Sequence, residues 1–75
     1  MHPIIPLTES RRYRVTYLPA GARVARVMVA QYLGTDQAGL LLWNLRPHAG
    51  TQTMWQDQLL AAVPSDEKIQ LPRKA

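Results

Sequence analysis

The chain has no cysteine, so no disulfide braces it and no thiolate can act as nucleophile or metal ligand. It also lacks phenylalanine, which leaves two tryptophans and three tyrosines as its only aromatic bulk. Its four glycines, Gly21, Gly34, Gly39 and Gly50, are dispersed over three predicted turns, which excludes a glycine-rich phosphate loop. No apolar run approaches the roughly 20 residues that a membrane-spanning helix needs. Only five carboxylates are available, scattered along the chain, against nine basic side chains.

What is present is a 75-residue chain with nearly half its residues apolar, enough for one folded domain with a small core. The formal charge is +4, and seven of the nine basic residues are arginine. An excess of that size suits an anionic partner and equally suits plain solubility. The N-terminal Met1-His2-Pro3-Ile4-Ile5-Pro6-Leu7 has no basic leader and is interrupted by prolines, which argues against a signal peptide. The expectation is a cytoplasmic protein without a membrane segment.

Three strand-like runs fill residues 11–46. In the first, Tyr13, Val15 and Tyr17 alternate with Arg12, Arg14 and Thr16, so one face is apolar and the other basic. Pro19-Ala20-Gly21-Ala22 ends this run at about residue 18, and a second follows over 23–33. Gly34 to Gly39 signals another turn before a third strand over 40–46. Pairing apolar faces sets Val15 opposite Val27, Tyr17 opposite Ala25 and Tyr13 opposite Val29. The same rule sets Leu33 opposite Leu41 and Gln31 opposite Trp43. Ala25, Val27, Val29 and Leu33 then face inward, and Arg26, Met28, Ala30 and Tyr32 outward.

The remaining elements are shorter. Thr51 to Trp55 reads as a fourth strand, Gln56-Asp57-Gln58 as a single 3-10 turn, and Leu59 to Val63 as a last strand. A helix over 55–63 is the competing reading, because leucine and alanine favour helices. Residues 1–10 form an arm whose Ile4, Ile5 and Leu7 can cover one end of the core, and residues 65–75 a polar, flexible C-terminal tail. Trp43 belongs to the core and Trp55 plugs one end, although either ring could instead anchor a partner.

Five short strands with a tight turn before the last, over residues 11–64, resemble the small five-stranded antiparallel Src-homology-3-like or Sm-like barrel. The resemblance rests on strand order and spacing. It implies an all-β fold whose closure protects the sheet edges.

Enzyme chemistry fails on inventory. The serines, Ser10 and Ser65, lie in the arms, and neither His2 nor His48 stands beside a nucleophile. Neither two isolated histidines nor the acidic pair Asp66-Glu67 makes a metal site, and no cofactor is implied. The outward face is the better candidate. The register gathers Arg12, Arg14, Arg26 and Arg46 around Met28, with Tyr32 as a stacking platform, a combination suited to single-stranded nucleic acid. The alternative is a protein interface, or a homo-oligomer, using Met28, Tyr32, Leu40 and Leu42. A third reading is a small subunit of a larger assembly. Arginine stems covering a sheet surface with their heads in water would also account for the pattern.

Overall fold

Alternating side chains and turn residues together generate the sheet seen in the computed structural model, which describes residues 5–75. The elements in chain order are β1 (Arg12–Tyr17), β2 (Arg26–Thr35), β3 (Leu41–Asn44) and β4 (Thr51–Met54), followed by a 3-10 turn (Gln56–Gln58), β5 (Leu59–Pro64) and β6 (Gln70–Lys74). All pairings are antiparallel, in the order β4-β3-β2-β1-β5, with β6 added to β2. The β2–β3 turn is held by Asp36. Its carboxylate accepts hydrogen bonds from the Ala38 and Leu40 amides, both at 2.9 Å, and Gly39 supplies the left-handed φ of +91°.

The chain is all-β, as its alternation implies, and residues 59–64 form a strand rather than part of a helix. Two features differ from a five-stranded barrel. The sheet does not close, since β4 and β5 remain its two ends. There is also a sixth strand, within the segment read as a polar tail. Arg26 pairs with Lys74, Val27 with Arg73 and Val29 with Gln70. Pro72 conceals this strand in the sequence, yet proline is tolerated on a strand that has a neighbour on one side only. One edge of β2 is therefore filled by β1. The other edge is shared, with β3 along Gln31–Thr35 and β6 along Arg26–Val29.

The register also corrects the expected faces. Val15 stands opposite Met28, Tyr13 opposite Ala30 and Tyr17 opposite Arg26, one residue away from the pairing inferred from apolar alternation. The β2–β3 pairing slips in the same sense, with Tyr32 opposite Trp43 and Gln31 opposite Asn44. Every side chain of β2 is thereby turned over. Met28, Ala30 and Tyr32 point into the core, whereas Leu33 is 42% exposed. The physical reason is that β2 is apolar on both faces, so alternation leaves its phase open. Bulk selects between the faces: Tyr32 packs on Trp43 with ring centroids 5.1 Å apart, and Met28 is almost fully buried.

The inner faces of β1 and β3 match the reading. Tyr13, Val15 and Tyr17 from β1 join Leu41, Trp43 and Leu45, with Met54 and Leu59 completing the cluster. Ile5, Leu7, Ala62 and Ile69 pack against it. Ile4, expected to share that role with Ile5 and Leu7, lies outside the described residues. Trp55 is half exposed at the start of the 3-10 turn rather than plugging the core.

Segment 65–69 links β5, beside β1, to β6 on the far side of β2, so it must cross both strands. Glu67 meets Arg14 and thereby places the crossing on the outer face of the sheet. Val29 lies opposite Arg14 on that same face, yet is only 1% exposed. The crossing accounts for a buried valine outside the core cluster.

Candidate nucleic-acid interface

Side chains directly opposite one another in an antiparallel sheet share a face. On the outer face, Arg12, Gln31, Asn44 and Thr51 form one continuous row across β1, β2, β3 and β4. The row is cross-linked. Gln31 Nε2 donates to the Ser10 carbonyl at 3.0 Å, and Asn44 Nδ2 donates to Gln31 Oε1 at 3.2 Å. The Arg46 amide then donates to Asn44 Oδ1 at 3.1 Å, which ties the exposed Arg46 to this end of the sheet.

Arg14 belongs to the next row, and its charge is already engaged. Its Nη2 donates to Glu67 Oε1 in the only ion pair among the described residues. That hydrogen bond first, and those from Ser65 and Gln70 with it, outweigh desolvation and hold the Glu67 carboxyl below the ordinary glutamate value of 4.5. Glu67 also anchors its own segment, since its amide donates to Ser65 Oγ at 3.1 Å and it accepts from Gln70 Nε2 at 3.2 Å.

Arg26 lies apart from the other three arginines. It is five residues along β2 from Gln31, about 16 Å at the usual strand rise, and its side chain has the opposite parity to the Arg12 row. There it joins cations that sequence reasoning left out. Lys74 is directly opposite Arg26, Arg73 is opposite Val27, and Arg23 lies in the adjoining β1–β2 loop. The missing signal is the sixth strand, without which Arg73 and Lys74 have no neighbours. Trp55 stands near the same end of the sheet, because Gln58, in the turn that it opens, accepts the Leu18 amide at 2.9 Å. Asp57 lies in that turn as well.

The proposed sites are therefore divided. Arg12 and Arg46 share one end, Arg14 is paired in the middle, and Arg26 occupies the other end. Tyr32, expected as an exposed stacking platform, is 7% exposed and packs against Trp43. Burial first, then the nearby Glu9 and Tyr13, raise its phenol above the ordinary 10.0. Met28 is likewise a core residue, while Leu40 and Leu42 are half-buried.

His48 lies exposed in the β3–β4 loop and lines a shallow groove with Ile69, Gln70, Leu71 and Arg73. His2 lies outside the described residues. No group of three or more metal-ligating side chains occurs among the described residues. No helix of the described residues is long and apolar enough to cross a membrane. The chain matches no family model, no curated protein and no solved structure.

Proposed function

We propose that this chain is a non-enzymatic binding module that holds single-stranded nucleic acid through the basic end of its sheet. The observation that carries the reading is the direct opposition of Arg26 and Lys74 across β2 and β6, with Arg73 next along β6 on the opposite face and Arg23 in the adjoining loop. Like charges facing each other across strands destabilise a sheet. None of these four cations forms an ion pair with a described carboxylate. A polyanion lying across the end of the sheet removes that repulsion while releasing its own counterions. The guanidinium groups suit phosphate oxygens in two-point contacts, and the half-exposed ring of Trp55 offers a surface for a base. The strand order of β1 to β5 fits a small Src-homology-3-like scaffold, which such a module would use as a rigid support.

The reading differs from a flat basic face in its choice of residues. Arg26 remains, joined by Arg23, Arg73 and Lys74, whereas Arg14 is neutralised by Glu67 and Tyr32 has no exposed ring to offer. Arg12 and Arg46 lie beside the polar row and would extend the contact only for a longer strand.

Titrating a labelled oligonucleotide with protein over a series of salt concentrations tests the proposal. Four phosphate contacts on a single strand give a log–log salt slope of about −3. Arg26→Glu combined with Lys74→Glu should abolish binding, while Arg14→Gln should leave it nearly unchanged. Absence of salt-sensitive binding at micromolar protein overturns the reading.

A further inference from the structure

The sheet is open, so β5 presents one edge with no neighbour among the described residues. Which of its backbone groups are unpaired follows from the ladder. Ser65 donates its amide to the Arg12 carbonyl at 3.1 Å, and these residues continue the pairing of Arg14 with Val63 and Thr16 with Ala61. In an antiparallel ladder the bonded residues alternate. Residues 61, 63 and 65 therefore direct their backbone groups toward β1. Ala62 directs both its N–H and its C=O away from the sheet, and Pro64 directs a carbonyl the same way but has no amide to donate.

The side chains at this edge are apolar. Leu60, in the bulge where the β1 register shifts, is 54% exposed, and Val63 is 58% exposed. From Pro47 to Pro64 the only formally charged residue is Asp57, so the chain's +4 resides elsewhere and does not oppose contact here. Edge strands usually carry charged side chains that prevent pairing, and β5 has none.

We propose that β5 pairs with β5 of a second copy of this chain, antiparallel and about a two-fold axis at Ala62. The amide of Ala62 donates to the carbonyl of the partner's Ala62, and the reverse bond follows by symmetry. Val63 then lies opposite the partner's Ala61, and Leu60 opposite the partner's Pro64, so the exposed apolar side chains cover one another. Of the other two free edges, β6 carries Pro72, Arg73 and Lys74, which oppose pairing, and β4 alternates in the same way but exposes Thr51 and Thr53. The β4 edge therefore offers hydroxyls where β5 offers hydrocarbon. A single six-residue strand pair is a small interface, of the size class that gives weak, transient association.

The test is light scattering with size exclusion, together with amide exchange, on the protein without nucleic acid. With rising concentration the mass should move from 8.5 kDa toward twice that value. The Ala62 amide should exchange rapidly in dilute protein and slowly in concentrated protein, while the Val63 amide is protected in both. Ala62→Pro removes only an outward amide and should hold the mass at the monomer value. Leu60→Lys should do the same without altering the backbone, should the proline variant fail to fold. A strict monomer up to about 1 mM overturns the proposal. So does a ladder of higher oligomers, which would indicate head-to-tail pairing of β4 with β5, and so does a Leu60→Lys protein that still dimerises.

Discussion

Tyr32 and Trp43 face each other across β2 and β3, and their rings pack at 5.1 Å with a tilt of 54°. Tyr13 meets the same indole edge-on at 6.1 Å. Trp43 is fully buried, and its Nε1 has no hydrogen-bond partner among the described residues. The indole therefore contributes through packing alone, against the cost of a desolvated N–H. Trp43→Ala should cost about 3–5 kcal/mol. That is a large share of the roughly 4–11 kcal/mol expected for a chain of this length, so thermal denaturation should show a strongly lowered midpoint.

Tyr32 predicts the alkaline behaviour. Its phenol titrates above the ordinary 10.0, mainly because of burial. A raised value means that its share of stability is complete below pH 10 and is lost as pH rises through the folded-state value. Tyr32→Phe should retain the contact with Trp43 and shift the onset of alkaline unfolding upward. Absorbance at the tyrosinate band checks this, since the variant should lose one phenol that titrates above 10.0.

Glu67 predicts the opposite limb. Its carboxyl is held below 4.5 chiefly by the Arg14 hydrogen bond. That contribution is present above the unfolded-state value and disappears as pH falls through the lower folded-state value. Melting curves at pH 7 and pH 3 should differ less for Glu67→Gln than for the unaltered chain. Protection of the Val29 amide, taken relative to the free-chain exchange rate at each pH, should also fall on acidification, as the crossing segment loosens.

Ser10 holds a φ of +71°, and Arg11 donates its amide to the Thr8 carbonyl at 3.3 Å, so Ser10 is the third residue of a tight turn. Turns with positive φ at that position favour glycine. Ser10→Gly should therefore stabilise the chain by about 1 kcal/mol, because the left-handed region costs about that much for a residue bearing a Cβ. The midpoint of urea unfolding measures it.

Gly34 makes the converse prediction. Its φ is +109°, and an added Cβ would sit 2.5 Å from Glu9 Oε1. Gly34→Ala should cost about 1–3 kcal/mol. Adding Glu9→Ala should recover the steric part alone, leaving the backbone part in the double-variant melting curve.

The strand positions were legible because β1 alternates cleanly and Gly21, Asp36 and Gly39 mark the turns on either side of β2. The face of β2 was not legible. Val27, Val29 and Leu33 form as good an apolar series as Met28, Ala30 and Tyr32, and alternation cannot choose between two greasy faces. What chooses is three-dimensional: space beside Trp43 for an aromatic ring, and a chain crossing that buries Val29 from outside. The basic site was half legible for a related reason. Arg26 could be named from its own strand, but Arg73 and Lys74 acquire meaning only once residues 70–74 are paired with β2.

That late pairing has a consequence for how the chain is made. Arg26 and Lys74 are 48 positions apart along the backbone, and β1 likewise waits for β5. Folding must therefore close wide loops before its long-range contacts are gained, the regime in which β proteins form slowly. During synthesis β2 has only β1 and β3 beside it until residue 74 has emerged, and half of its second edge stays bare. A nascent chain stalled before residue 70 should accordingly be protease-sensitive along Arg26–Val29, and should gain protection only when the final strand arrives.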